Sequence, residues 1–152
     1  MHTYVVISSF DKHPKQNYTL RDLPLHLTLS NIFYSDLTTV EIMARLKPLT
    51  HKFKQFEVTA KSREMFGPQQ DVPVTEIIKS EQLQDMHKGI AAVLGEDMKY
   101  QSPEFAGANY RPHVSDQPAG IVAINEKLTV NNLTFVEIMG DEIVVHGVYD
   151  LG

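Results

Sequence analysis

The feature that most constrains this chain is the way its hydrophobic period switches between two and 3.6 along its length. Residues 4 to 10 are rich in strand formers, and residues 24 to 33 (Pro-Leu-His-Leu-Thr-Leu-Ser-Asn-Ile-Phe) alternate strictly. In that run Leu25, Leu27 and Leu29 share one face, while His26, Thr28 and Ser30 share the other. The polar residues 11 to 23 between the two runs predict a loop. Thr38 with Glu41 fits a capping box, and Ile42, Met43, Leu46 and Leu49 follow at helical spacing, which predicts a helix over about 38 to 50. Residues 54 to 66 and 72 to 78 predict two strands flanking Gly67-Pro68. Ser80 then caps a second predicted helix, whose Leu83, Met86, His87, Ile90, Val93 and Leu94 make an apolar stripe closed by Gly95.

Residues 95 to 110 read as irregular, 111 to 116 as a short strand, and 133 to 139 with 142 to 149 as a hairpin over Gly140-Asp141. The order β-β-α-β-β-α-β-β-β predicts an α+β fold with one helix per half packed against antiparallel sheet. At 152 residues the chain has room for one domain, spanning residues 1 to 152, and one core.

Composition narrows the chemistry. The formal charge of −5 has the wrong sign for a protein that grips a long nucleic-acid duplex by its phosphates. The chain contains no Cys, which rules out disulfides, thiolate nucleophiles and Cys-based zinc or iron-sulfur sites. Neither a signal-peptide pattern nor a membrane-length apolar run is visible, so a cytoplasmic location is the expectation and no membrane partner is expected. Seven His remain as the chemically versatile residues.

Two of the seven are followed two residues later by Ser or Thr: His26-Leu27-Thr28 and His113-Val114-Ser115. A chain with seven His gives about one such triplet by chance, so the weight falls on the matched context. In both triplets the middle residue is apolar, Pro stands just upstream (Pro24 and Pro112), and the segment is strand-like. Period two places each His beside its hydroxyl on one face, with Leu27 and Val114 anchoring the other. Two such strands facing one cleft gather two imidazoles and two hydroxyls. That set suits phosphodiester cleavage: a neutral imidazole takes a proton from the attacking water or hydroxyl, and an imidazolium protonates the leaving oxygen. The hydroxyls donate to the non-bridging oxygens, where negative charge collects.

These residues resemble the 2H phosphoesterase superfamily, the 2′-5′ RNA ligase-like and cyclic phosphodiesterase proteins defined by two His-x-Thr/Ser motifs. Pro24-Leu-His-Leu-Thr-Leu29 looks like the first motif in full; Tyr110-Arg-Pro-His-Val-Ser-Asp116 looks like the second, with Ser115 where many members have Thr. Asp116 departs from the apolar residue more usual there. The resemblance implies two pseudo-symmetric lobes of antiparallel sheet, each with an outer helix, and a cleft between them. It implies that His26 and His113 are the general base and acid, in an order that depends on the direction of the reaction, that Thr28 and Ser115 bind the phosphate, and that no cofactor or metal is used. Its substrates are 2′-linked or 2′,3′-cyclic phosphodiesters, small cyclic nucleotides or oligonucleotides. Small bacteriophage-type members resemble this chain in size and attack cyclic oligonucleotide signals, as in immune evasion. A non-catalytic module that binds a cyclic or phosphorylated nucleotide is the alternative.

Other residues are candidates for holding the substrate. Arg111 shares a face with His113 and Ser115, and Lys61 and Arg63 are expected on one face of a neighbouring strand, where each can supply positive potential or be simply solvated. Tyr110, Phe66, Phe10 and Tyr18 are expected near the cleft mouth, where a ring can stack on a base, although packing is the commoner fate of an aromatic side chain. His87 reads as a packed core residue and His51 as a partner of a helix C-terminus. His2, His13 and His146 have no partner at metal-ligand spacing.

Overall fold

The computed structural model describes residues 1–11, 15–19 and 22–152. In chain order the elements are β1 (His2–Ser9), β2 (Asn17–Thr19), β3 (His26–Thr28), β4 (Phe33–Ser35), α1 (Thr39–Leu46), α2 (Leu49–Lys52), β5 (Phe56–Phe66), β6 (Val72–Ile77), α3 (Glu81–Leu94), β7 (Lys99–Tyr100), β8 (His113–Ser115), β9 (Lys127–Val130), β10 (Asn132–Met139) and β11 (Glu142–Asp150). They form two antiparallel sheets in an α+β arrangement. One has the order β2-β11-β10-β1-β4-β7 with β3 also on β1; the other has the order β8-β6-β5-β9.

The predicted elements are present with local breaks that have identifiable causes. The alternating run 24 to 33 is two strands, because Asn31 takes a left-handed φ of 61° and the Ser30 hydroxyl accepts from the Val6 amide at 2.8 Å. That turn lets β3 and β4 pair with opposite ends of β1. The first helix has the expected capping box at Thr38 and Glu41 but stops at Leu46, and a separate turn, α2, follows Pro48. In the second helix, the Ser80 hydroxyl accepts from the Leu83 amide at 3.2 Å, and Gly95, with φ 59°, ends the element. The predicted loop 11 to 23 contains β2, which pairs with β11; residues 12–14 and 20–21 lie outside the described residues.

A single core lies under both sheets. Tyr4, Val6, Leu27, Phe33 and Phe135 of the first sheet meet Val58, Ala60, Ile77 and Val114 of the second and the buried stripes of α1 and α3. Burying each Leu or Ile contributes about 1.5 to 3 kcal/mol, so this layer holds the lobes together. The halves of the chain interleave, because the C-terminal hairpin β10-β11 returns to pair with β1. On its other face the first sheet carries a smaller cluster of Val5, Ile7, Tyr18, Val136 and Ile143. The register pairs Ile7 with Thr28 and Ser9 with His26, so both polar residues of β3 stand on this second face, away from the helices.

Candidate active site

β3 and β8 are three-residue strands with the same burial pattern: a half-buried His, a buried aliphatic residue and a half-buried hydroxyl residue. Leu27 and Val114 are almost fully buried in the core, which turns the His and hydroxyl outward on each strand. In both strands the imidazole Nδ1 lies 2.9 Å from the backbone oxygen two residues earlier, that of Pro24 for His26 and of Arg111 for His113. A carbonyl only accepts, so Nδ1 carries the hydrogen of the neutral ring and Nε2 is left to take or give a proton.

β8 is an edge of its sheet, and β3 rests against it where the two sheets meet. A buried pin holds them. The Tyr110 hydroxyl donates to the Thr28 carbonyl at 2.7 Å, and the Tyr110 ring stacks on His87 with centroids 4.1 Å apart and planes 3° apart. His87 bonds the Leu29 carbonyl through Nδ1 at 2.8 Å and accepts from the Gly107 amide through Nε2 at 3.0 Å. One donor and one acceptor define a neutral imidazole, and burial holds its pKa below the ordinary value. His87 therefore ties α3 to both His-bearing strands, and burial forces the Tyr110 hydroxyl far above its usual range.

Burial also lowers the pKa of His26 and of His113, and the charge of His113 lowers His26 further. The two rings differ in what stands behind them. Glu76 is the cross-strand partner of His113 on the same face of the sheet, and its carboxylate favours the imidazolium while the Arg111 guanidinium opposes it. Arg111 grips that carboxylate through Nε and Nη2, both at 2.9 Å, and holds its pKa below the usual range. The Arg111 guanidinium also lies 4.5 Å from the Phe66 ring centroid, and Phe66 meets the His113 ring edge-on at 4.7 Å. At His26 the charged neighbour is His113 itself, which lowers the ring's pKa.

The structure thus gathers His26, Thr28, His113, Ser115, Arg111 and Phe66 around one junction. Lys61 lies close enough to Glu76 to lower its pKa. Arg63 is elsewhere, which corrects the expectation that it shares a face with Lys61. A bulge between Ala60 and Ser62 inverts the alternation, so Arg63 pairs with Thr75 on the opposite face. There it donates to Thr75 and grips both carboxylate oxygens of Asp116, which accounts for the acidic residue at the end of the second motif. Tyr110 is buried in the pin, so its ring is committed to His87. Phe10 lines a cavity beside β1, and Tyr18 donates to Asp11 at 2.8 Å. His2 and His146 both bond Glu137, His51 is exposed, and His13 lies outside the described residues. Among the described residues, no group of three or more His, Asp and Glu is placed to hold a metal ion. Glu76 escaped the sequence reading. Its one signal is a carboxylate inside the otherwise uncharged run Val72-Pro-Val-Thr-Glu-Ile-Ile78.

A sequence profile of the 2′-5′ RNA ligase superfamily matches residues 8–137. Solved structures share the fold over nearly the whole length. A phosphoesterase crystal structure matches with a TM-score of 0.63 at 14% identity, covering 99% of each chain. E. coli LigT complexed with 3′-AMP matches at 0.60 and 12%, covering 99% of this chain and 98% of LigT. TT0787 of Thermus thermophilus matches at 0.61 and 13%, with 98% and 97% covered. No curated protein sequence matches the chain. No helix is long and apolar enough to cross a membrane among the described residues.

Proposed function

Because the chain belongs to the 2′-5′ RNA ligase superfamily, we propose that it is a metal-independent phosphodiesterase that hydrolyses 2′-linked or cyclic phosphodiesters of nucleotides or small oligonucleotides. The observation that carries this reading is the matched pair of Nδ1-to-carbonyl bonds, which leaves both Nε2 atoms available at the junction of the sheets. His26 Nε2 takes a proton from a water, whose oxygen bonds to phosphorus. As the phosphorus bond to the leaving oxygen breaks, His113 Nε2 gives that oxygen a proton. Thr28 and Ser115 donate to the non-bridging oxygens. Glu76 supports this direction of transfer, since its carboxylate favours the charged form of His113 against the opposing charge of Arg111, whereas the charge facing His26 is that of His113. The half-exposed Arg111 adds positive potential at a site in a chain of charge −5, which suits a short substrate held at one phosphate.

The test is incubation with a panel of 2′,3′-cyclic nucleotides, 2′-5′-linked oligonucleotides and cyclic oligonucleotides, with products identified by mass spectrometry. The expected result is cleavage that persists in excess EDTA and is lost in His26→Ala. Tight binding with every ligand returned intact identifies a binding module instead.

A further inference from the structure

The face of the first sheet that carries His26 and Thr28 continues into a cavity of about 430 Å³, within the range of small-ligand sites. Ile7 and Ser9 of β1 line it, and these are the direct cross-strand neighbours of Thr28 and His26. The cavity therefore begins one strand from the candidate catalytic pair, about 5 Å away. It extends across Thr134 and Val136 of β10 to Val145 and Val148 of β11.

Its width on β11 depends on a bulge. Phe135 pairs with Gly147 and Val136 with Val145, which leaves His146 as the extra residue. Without it Val145 and Val148 would point to opposite faces. With it both line the cavity, and the floor is largely apolar, edged by hydroxyls and amides. The described lining residues include Asp11 and Asp150 but no Lys, Arg or His. Such a surface suits an uncharged group with apolar faces.

We propose that this cavity is the subsite for one nucleoside of the substrate, an uncharged base with its ribose, whose phosphate then lies between His26 and His113. The identity of that phosphate rests on the phosphodiesterase reading; the affinity of the cavity for a nucleoside does not. The phosphate-bearing remainder of the substrate leaves over the second sheet, beside Arg111 and Lys61.

The experiment has two arms. In the first, adenosine and uridine are titrated into isotope-labelled protein and backbone amide shifts are followed. The expected result is saturable shifts at Ile7, Val136 and Val145 that vanish in Val148→Trp, which fills the cavity from an exposed position. Thr129→Trp fills it from the opposite wall and guards against a variant that fails to fold. In the second arm, either Trp variant raises KM for a 2′-5′-linked dinucleoside monophosphate about tenfold while leaving turnover of bis(p-nitrophenyl) phosphate unchanged. Nucleoside shifts that are absent, or that map away from this face, overturn the subsite whatever the catalytic activity. An equal effect of the Trp variants on both substrates overturns it too. Nucleoside shifts in a protein that cleaves nothing uphold the subsite and sink the phosphodiesterase reading.

Discussion

β3 and β8 carry the same three-residue pattern and the same Nδ1-to-carbonyl bond, yet their imidazoles live in different surroundings. His113 is backed by Phe66, Arg111 and the buried carboxylate of Glu76. Beside His26 stands β1, whose Ile7 and Ser9 line a cavity. The repeated motif makes the two rings equivalent as hydrogen-bonded groups, and the sheets around them give them different charged neighbours. Two-sided proton transfer requires one ring to be neutral and the other charged, and a carboxylate beside one of them favours that distribution.

The comparison can be broken most sharply by removing each ring in turn. His26→Ala and His113→Ala are each expected to lower kcat by about 10²- to 10⁴-fold, measured on whichever ligand of the panel is cleaved. Near-normal turnover in either variant means that the matched strands are scaffold rather than machinery. Thr28→Val and Ser115→Ala remove one phosphate donor each, with an expected loss of about 10²-fold. Similar losses in the two sharpen the symmetry of the motif; a loss in only one locates the phosphate closer to that strand.

Glu76→Gln tests the asymmetry itself. Removing the carboxylate lowers the pKa of His113, so the high-pH limb of the kcat/KM profile moves to lower pH while the limb set by His26 stays in place. Activity at neutral pH is then expected to fall about tenfold, well short of losing the ring. If instead the low-pH limb moves, the acid and base are the reverse of those proposed.

The wild-type profile carries a sign of its own. Both imidazoles are held below the ordinary value of 6.5, so the maximum in kcat/KM is expected at a pH below 6.5. Stability runs the other way. His26, His87 and His113 have folded pKa values below their unfolded ones, so the unfolded chain binds more protons as pH falls through 6.5. Thermal melts should show Tm declining from about pH 7.5 to about pH 5.5, and a Tm that is flat or rising over that window contradicts the burial of these rings. Arg63→Ala is expected to have the smallest effect on catalysis. Its guanidinium faces away from His113 and holds Asp116, so kcat/KM should stay within about twofold while the end of β8 loosens.

Much of the fold was legible because its signals are local. The capping box at Thr38, the stripe from Leu83 to Leu94 and the alternation through Leu27 each follow from spacing that neighbouring residues enforce. The candidate pair of imidazoles was legible for the same reason, since period two on a short strand puts His and hydroxyl together. Arg63 and Tyr110 show where that logic stops. A single extra residue in β5 reversed the face of Arg63, and the nearest ring for Tyr110 was His87, on a helix distant in sequence. Glu76 could not be connected to His113 either, because β6 and β8 become neighbours only when the second sheet forms.

By itself, then, the sequence determined the kinds of element, the residues that anchor them, and the two strands able to offer an imidazole with a hydroxyl. Those are consequences of side-chain periodicity and of chemistry carried within a few residues. Only the tertiary structure decided that the two strands meet, that one ring has a carboxylate behind it, and that the strand beside the other lines a cavity. These depend on strand pairing over long separations and on two bulges, each of which reassigns faces downstream. No count of residues along the chain can supply that.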